Sequence, residues 1–318
     1  MAEFDLIDRI RRRAVARDDV ALGIGDDAAL LRPPPGRELA VATDALNAGV
    51  HFPADTPPDA IGWKALAVNL SDLAAMGATP AWCTLSLSAP ALEPAWVEAL
   101  AEGLLALAAR HGVSLVGGDT TRGPLSLCVT AIGHVAPGRA LRRDGARDGD
   151  DIWVSGTVGD AAAALQAWER GGPVPEVLRE RLERPTPRIA LGAALAGRAH
   201  AAIDVSDGLL ADLGHVLRAS GVGAELAIDA LPASDALRAA VPAPQARRAL
   251  QAGGGDDYEL CFTAPAGVRA GIEAAAREAG VAATRIGRIV AGEGIACRDA
   301  DGAPWHPPAT GYEHFGEG

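Results

Sequence analysis

The sequence predicts an α/β protein divided into two domains. Its 318 residues are enough for two domains, and a hydrophobic content of 49% supports a substantial core. Segments with strand and helix patterns alternate in both halves of the chain. The halves are joined by Pro137-Gly138 and a charged stretch at residues 139–151, which is typical of a connection between domains. We therefore expect domains at residues 1–137 and 138–318.

Apolar periodicity predicts the elements of the first half in order. An amphipathic helix is expected at the start, with Phe4, Ile7 and Ile10 on one stripe. Further helices are expected at residues 60–76 and 94–110, and strands at residues 39–43, 83–88, 113–116 and 125–134. The glycines of Gly117-Gly118-Asp119 predict a turn after the strand at residues 113–116. The first half is therefore expected to form one α/β domain.

The second half restarts the same pattern without a strict sequence repeat. Strands are expected at residues 151–155, 258–263 and 285–290, and helices at residues 208–220 and 268–279. Each half places acidic turns beside its strands. The second half is therefore also expected to be α/β.

The charge of the chain argues against two classes of partner. Its net charge is −12, and an acidic surface attracts neither nucleic acid nor an anionic membrane. The N-terminus carries charges where a signal peptide needs an apolar stretch, and no apolar run is long enough to span a bilayer. We therefore expect a cytoplasmic protein.

Lysine and cysteine usage limits the chemistry further. The only lysine, Lys64, follows Trp63, so the chain has no Gly-Lys-Ser/Thr and a Walker-type phosphate loop is excluded. The four cysteines are scattered without a Cys-x-x-Cys pair. We interpret them as small buried hydrophobic residues of a reducing compartment, with a thiol nucleophile as the weaker alternative.

Aspartates recur in short stretches rich in Gly, Ser or Thr. These stretches are Gly23-Ile24-Gly25-Asp26-Asp27, Thr43-Asp44, Asn69-Leu70-Ser71-Asp72, Gly117-Gly118-Asp119-Thr120-Thr121, Asp204-Val205-Ser206-Asp207-Gly208 and Gly254-Gly255-Asp256-Asp257. Two like charges about 4 Å apart repel by ~4 kcal/mol at an effective dielectric constant of about 20, so a bare cluster would oppose folding. Convergence therefore implies Mg²⁺, which combines few carboxylates with water and phosphate oxygens. An ordinary acidic turn or helix cap is the alternative for any single stretch.

Individual residues carry more specific hypotheses. Asp72 interrupts an apolar helix, where it is either a buried ligand or a solvent-facing residue. The glycines before Asp119 would let backbone amides approach phosphate while Asp119 binds metal. Ser206 and the helix N-terminus after it could bind an anion, or Asp204 to Gly208 could be only a helix cap. Arg143 is either a phosphate contact or a solvated linker charge.

Together these segments resemble the thiamine-monophosphate kinase family, part of the ATP-binding superfamily that also contains aminoimidazole ribonucleotide synthetase and selenophosphate synthetase. The resemblance covers nearly the whole chain. Its carriers are the runs at residues 23–30, 67–78, 117–124, 203–209 and 257–260. It implies an aminoimidazole ribonucleotide synthetase-like fold, α/β (α+β), with an N-terminal mixed sheet that forms a barrel in a homodimer and a C-terminal α/β domain. It also implies transfer of the γ-phosphoryl group of ATP to thiamine monophosphate with several Mg²⁺ ions.

The resemblance assigns roles to residues of this chain. The implied metal ligands are Asp27, Ala42, Thr43, Asp44, Asp72, Asp119, Asp204 and Asp207. ATP contacts are implied for Gly118, Asp119, Arg143 and Ser206, and substrate contacts for His51, Asp256 and Tyr312. Family members commonly have Glu where this chain has Asp256, whose shorter side chain would reach substrate through water. A hydroxyl residue is common where this chain has Ala42, so only its backbone oxygen remains for a metal.

The acceptor phosphate is already anionic, so the reaction needs no strong base. We expect direct in-line transfer, with Arg143, Asp119 and Asp207 as the catalytic residues and no phosphoenzyme. His51 could equally be a surface histidine with no contact to substrate, because sequence spacing does not decide between the two roles. The rival functions are another enzyme of the superfamily with a different acceptor, and a non-catalytic nucleotide-binding protein.

Overall fold

The structure, a computed structural model, describes residues 11–312 and divides them into two compact units. Unit 1 contains the residues up to Leu73 together with Ala78–Gly138, and unit 2 contains Ala74–Gly77 and the residues from Arg139 onwards. The chain passes from one unit to the other at Gly138, next to the charged stretch. The helix expected around Phe4, Ile7 and Ile10 lies outside the described residues.

Unit 1 contains a four-stranded sheet, a small two-stranded sheet and two long helices. Its strands are β1 (Val20–Leu22), β2 (Leu30–Leu31), β3 (Glu38–Asn47), β4 (Thr79–Ala89), β5 (Ser114–Arg122) and β6 (Ser126–Val135). Its helices are α1 (Pro58–Ala75), which ends in unit 2, and α2 (Pro94–His111). The large sheet has the order β3-β6-β4-β5, with β4 and β5 parallel and the other pairs antiparallel. The predicted mixed N-terminal sheet is therefore confirmed.

The turn predicted at Gly117-Gly118-Asp119 is wrong, because all three residues belong to β5. This strand pairs with β4 as far as Arg122. A Cβ atom on Gly118 would lie 1.8 Å from the backbone oxygen of Leu85 on β4. Glycine at this position therefore permits close approach of two strands, and the chain does not reverse there.

Unit 2 contains a seven-stranded mixed sheet. Its strands are β7 (Asp150–Ser155), β8 (Ala201–Asp204), β9 (Gly223–Ala227), β10 (Leu260–Pro265), β11 (Ala283–Val290), β12 (Ile295–Arg298) and β13 (Pro304–Trp305). They are ordered β13-β12-β9-β11-β7-β10-β8, and only the β12 and β9 pair is parallel. The helices are α3 (Asp160–Glu169), α4 (Glu176–Glu183), α5 (Ile189–Leu195), α6 (Leu209–Ser220), α7 (Asp235–Ala240), α8 (Pro244–Gly253) and α9 (Arg269–Glu278).

Helices cover both faces of this sheet. Ile152 and Val154 of β7 lie in a buried cluster with Leu213 of α6, whereas the intervening Trp153 lies in a second cluster with Ile272 of α9. Successive strand residues point to opposite faces, so the continuous apolar runs of the sequence supply both clusters. This arrangement confirms the predicted α/β character of the second half.

Two predicted boundaries in unit 2 differ from the structure. The strand expected from Tyr258 begins at Leu260, because Tyr258 has a φ of +50° that a strand does not accommodate. The helix expected from Val268 begins as a 3₁₀ turn, Ala266–Val268, and α9 follows it. Within residues 11–312, no helix combines the length and apolarity needed to cross a membrane.

Candidate functional site

In unit 1, strand β3 carries three of the predicted metal ligands. Ala42 and Asp44 are half-buried and Thr43 between them is exposed, so Thr43 points to the opposite face of the sheet. The hydroxyl of Thr43 lies 2.9 Å from that of Thr130 on β6. The amide of Asp44 donates to Oδ1 of buried Asn69 on α1 at 3.0 Å. Helix α1 therefore fixes the strand at Asp44, and a shared ion would contact Thr43 through its backbone oxygen.

The other predicted residues of unit 1 are spread over several elements. Asp72 is half-buried on α1, one turn after Asn69, and Asp27 is exposed in the turn after β1. Gly118 and Asp119 are exposed on β5. Because β3 and β5 are the two edges of the sheet, three strand spacings of about 4.8 Å separate Asp44 from Gly118 in one cross-strand row. Asp44 and Gly118 are therefore not neighbours within this sheet.

His51 lies after β3, and its ring, its amide and its backbone oxygen all form hydrogen bonds. Its Nδ1 accepts from the amide of Asn47 at 3.0 Å, so the neutral imidazole carries its proton on Nε2. Its backbone oxygen accepts from Nζ of Lys64 at 2.9 Å. Lys64 is only 1% exposed, so the single lysine of the chain is a buried donor to the backbone at His51. The contacts therefore fix the backbone at His51 and one nitrogen of its ring.

In unit 2, the segment from Asp204 to Gly208 leads from β8 into α6, as predicted. The amides of Ser206, Asp207 and Gly208 all donate to Oδ2 of Asp212, at 3.0, 3.1 and 3.1 Å. The sequence left two alternatives for this segment, an anion site or only a helix cap, and the amides of the turn and of the N-cap residue Gly208 donate to a carboxylate of the chain itself. Sequence reasoning missed Asp212, although a lone acid inside Leu209-Leu210-Ala211-Asp212-Leu213 is a detectable signal.

The same segment shows a strong electrostatic perturbation. The pKa of Asp212 is raised to about 7, chiefly by burial and also by the neighbouring charges of Asp204 and Asp207. Three carboxyl groups thus lie close enough to disfavour full ionisation. A hard cation would relieve this repulsion, and carboxylate oxygens are the ligands that Mg²⁺ prefers. Asp204 and Asp207 would supply carboxylate oxygens to such an ion, and within residues 11–312 no group of three or more His, Cys, Asp or Glu side chains is arranged to hold a metal.

Backbone hydrogen bonds bring four predicted residues of unit 2 together. The amide of Asp256 donates to the backbone oxygen of Ser206 at 2.8 Å, and the amide of Tyr312 donates to that of Asp207 at 2.9 Å. The hydroxyl of Tyr258 donates to Oδ1 of Asp256 at 3.1 Å. The residues predicted to contact ATP, metal and substrate therefore lie on three segments that backbone hydrogen bonds join.

A cavity of about 940 Å³ opens beside this cluster, lined in part by Asp207, Tyr312, His215 and Arg218. Burial lowers the pKa of His215, and the positive charges of Arg218 and Arg143 lower it further. Arg143 is exposed in a 3₁₀ turn, Arg143–Gly145, and its backbone oxygen accepts from Ser220 of α6. Its charge therefore reaches His215, which lines the cavity.

The loop that carries Asp256 is strained and firmly anchored. Asp256 and Tyr258 have φ values of +65° and +50°, which are uncommon for residues with a side chain. Next to them, fully buried Glu259 pairs with Arg181 and Arg188 and accepts from the hydroxyl of Ser155 at 2.6 Å. Burial raises the pKa of Asp257 well above its ordinary value, against the opposing charge of Arg181. These buried groups hold the loop in its strained conformation.

The cysteines give no sign of nucleophilic chemistry. Burial raises the pKa of Cys83 and of Cys261 to about 12, so both thiols stay protonated at neutral pH. Cys297 is also buried, and Cys128 is half-buried. All four lie in strands, in agreement with their interpretation as packing residues.

Comparison with known proteins defines the class. Residues 25–135 match the N-terminal domain of AIR synthase related proteins, and residues 147–299 match the C-terminal domain. A two-domain fold of this class is what the sequence predicted.

Similar proteins then identify the particular family. Thiamine-monophosphate kinase of Salmonella typhimurium is 49% identical over 98% of both chains. The crystal structure of thiamine-monophosphate kinase from Stenotrophomonas maltophilia is 55% identical, with a TM-score of 0.89 over 96% of this chain and 98% of that one. A structure of AaThiL complexed with AMPPCP and TMP is 34% identical, with a TM-score of 0.77 over 98% and 97%. The chain belongs to the thiamine-monophosphate kinase family.

Proposed function

We propose that the protein transfers the γ-phosphoryl group of ATP to thiamine monophosphate and releases thiamine diphosphate and ADP. Family membership supports the reaction, as does a relative solved with AMPPCP and TMP. The observation that carries the proposal is the cluster of Ser206, Asp207, Asp256 and Tyr312, joined by backbone hydrogen bonds beside a cavity of about 940 Å³. Nucleotide, metal and substrate contacts are all expected in that cluster.

The proposed site residues keep the roles that the sequence predicted. Asp27, Asp44, Asp72, Asp119, Asp204 and Asp207 would hold magnesium through carboxylates, and Ala42 and Thr43 through backbone oxygens. Gly118, Asp119, Arg143 and Ser206 would contact ATP, and His51, Asp256 and Tyr312 would contact thiamine monophosphate. Magnesium, when bound, would supply positive charge to the phosphates.

The proposed reaction is a direct in-line transfer. Phosphate is the nucleophile, so the chain need only orient it and offset its charge. Arg143 is exposed, so packing in the core does not fix the orientation of its guanidinium. The protonated thiols of Cys83 and Cys261 are unsuited to a covalent intermediate. Labelled ATP alone should therefore leave no labelled phosphate on the protein.

We also propose a homodimer formed through the sheet of unit 1. Strand β3 is an edge of that sheet, and it exposes 51% of Leu39 and 62% of Val41. Exposed apolar residues on an edge strand favour association with another chain. Replacing Val41 with Glu should shift the particle mass measured by light scattering from dimer to monomer, and an unchanged mass would contradict this interface. The cytoplasmic location and the lack of a nucleic-acid partner stay predictions of the sequence.

One assay tests the function directly. The purified protein is incubated with ATP, Mg²⁺ and thiamine monophosphate, and thiamine diphosphate is measured by chromatography. We expect equal amounts of thiamine diphosphate and ADP from the wild type and a large loss with Asp207→Asn. Absence of thiamine diphosphate from folded wild-type protein would contradict the proposal. ADP formation with a different acceptor would instead favour the rival enzyme of the superfamily.

A further inference from the structure

The turn between β8 and α6 is built around a single oxygen atom. Oδ2 of Asp212 accepts hydrogen bonds from three successive amides, those of Ser206, Asp207 and Gly208. Asp212 is only 3% exposed, so water does not compete strongly for this oxygen. Each backbone amide has one hydrogen to donate, so all three amides are committed to this oxygen. The three bonds therefore restrict the backbone of the turn to one conformation.

Backbone oxygens of the same segment also accept hydrogen bonds. The backbone oxygens of Val205, Ser206 and Asp207 accept from the amides of Tyr258, Asp256 and Tyr312 respectively. The turn is thus the common support of the loop at Asp256 and of the C-terminal segment at Tyr312. Any shift of the turn would move residues of three separate segments.

We propose that Asp212 is a positioning residue for the nucleotide and metal site of unit 2. It contacts amides and not the substrate, and it acts by fixing the directions in which Ser206 and Asp207 present their side chains. The inference rests on the proposed function, because those two residues are proposed ligands of ATP and magnesium. Asp212 accepts from the amides of the turn and of the N-cap residue Gly208, so these three amides do not donate to ATP phosphates.

A purely structural role is the alternative, since a carboxylate near a helix N-terminus stabilises the helix in any protein. A matched control separates the two roles. Val216 lies on the same helix, is 1% exposed and belongs to the apolar cluster of the sheet. Val216→Ala should destabilise α6 without touching the turn. Only a positioning role predicts that folded Asp212→Ala and folded Val216→Ala differ in their affinity for metal and nucleotide.

The experiment compares metal-free protein first. Amide hydrogen exchange is measured by NMR for wild type, Asp212→Ala, Asp212→Asn and Val216→Ala. We expect faster exchange at Ser206, Asp207 and Gly208 in Asp212→Ala, with the amides of β7 unchanged. Equal exchange at these three amides in Asp212→Ala and in Val216→Ala would overturn the proposal.

Binding of Mn²⁺ with AMPPCP is then titrated by electron paramagnetic resonance. Loss of a group that orients metal ligands typically lowers affinity about 10–100-fold, and we expect that loss for Asp212→Ala but none for Val216→Ala. If Asp212→Ala does not fold, Asp212→Leu takes its place, because leucine has a similar size and no acceptor, and Asp212→Asn should retain more affinity than either because its oxygen still accepts. Wild-type affinity in the folded variant that lacks an acceptor would overturn the proposal. Wild-type protein that binds Mn²⁺ and AMPPCP yet makes no thiamine diphosphate would contradict the proposed function alone.

Discussion

The tripeptide Gly-Gly-Asp occurs in both units and folds in two different ways. In unit 1, Gly117-Gly118-Asp119 is part of the regular strand β5. In unit 2, Gly254-Gly255-Asp256 is an irregular loop that ends with Asp256 at a φ of +65°. Both segments carry an aspartate proposed to act at the site, so the difference is one of support and not of residue type.

The difference lies in what each backbone contacts. Gly118 lies against the main chain of β4, and a Cβ atom there would be 1.8 Å from the oxygen of Leu85. Gly255 lies against the turn before α6, and a Cβ atom there would be 2.3 Å from the oxygen of Ser206. Glycine serves close approach in both cases, but one neighbour is a strand and the other is a turn. The partner therefore decides whether the same tripeptide is extended or looped.

The largest effect should come from removing the buried anchor of the unit 2 loop. Glu259→Gln leaves Arg181 and Arg188 without their carboxylate, and breaking a buried ion pair from one side costs on the order of 3 kcal/mol. Thermal unfolding followed by calorimetry should show the loss. Glu225→Gln is the matched control, because its pair with Arg288 is exposed and should contribute little. Equal unfolding midpoints for the two variants would show that the buried ion pairs of Glu259 stabilise the protein no more than the exposed pair of Glu225.

The next largest effect should fall on β5. Gly118→Ala forces a methyl group against the backbone of β4, which should cost about 2 kcal/mol of unfolding free energy. The neighbouring Gly117 has only Thr84 Cγ2 near its would-be Cβ atom, at 4.0 Å. Gly117→Ala should therefore be tolerated. A similar loss in both variants, measured by chemical denaturation, would mean that close approach is not the reason for glycine at position 118.

A smaller effect is expected inside the unit 2 loop itself. Tyr258→Phe removes the hydroxyl that donates to Asp256, which should cost about 1 kcal/mol. Asp256 should also lose its fixed orientation, so the KM for thiamine monophosphate should rise more than kcat falls. Unchanged kinetics together with unchanged stability would show that the hydroxyl has no part in holding Asp256.

The smallest effect should appear in unit 1 and only in acid. Hydrogen bonding from Arg17 lowers the pKa of Asp19 below its ordinary value of 3.8, and the indole of Trp82 on β4 contributes in the same direction. The carboxylate therefore adds stability above pH 3.8 and loses it as the pH falls through the lower pKa of the folded state. Melting temperatures of wild type and Asp19→Asn should differ at neutral pH and converge in acid. A gap that persists at the lowest pH would contradict this assignment.

Much of the fold follows from local pattern. The helix at residues 94–110 and the strands at 83–88 and 125–134 were predicted within a few residues, because long periodic runs specify the element and its buried face. The mixed sheet and the family were also predicted, the latter because several long motifs occur in one order. The conformation of short Gly-rich segments could not be predicted from periodicity, as the strand conformation of Gly117-Gly118-Asp119 shows.

The sequence by itself determined which residue types are available for the chemistry and in which order they occur. It determined that Lys64 cannot serve a Walker-type loop, and that Asp204, Ser206 and Asp207 stand between a strand and a helix. Only the tertiary structure decided that Gly118 is extended, that Asp256 has a positive φ, and that Asp212 accepts from three amides of the turn before α6. The reason is physical: a periodic apolar run is specified by its own residues, whereas a glycine-rich segment or a lone carboxylate takes its conformation and charge state from groups distant in the chain.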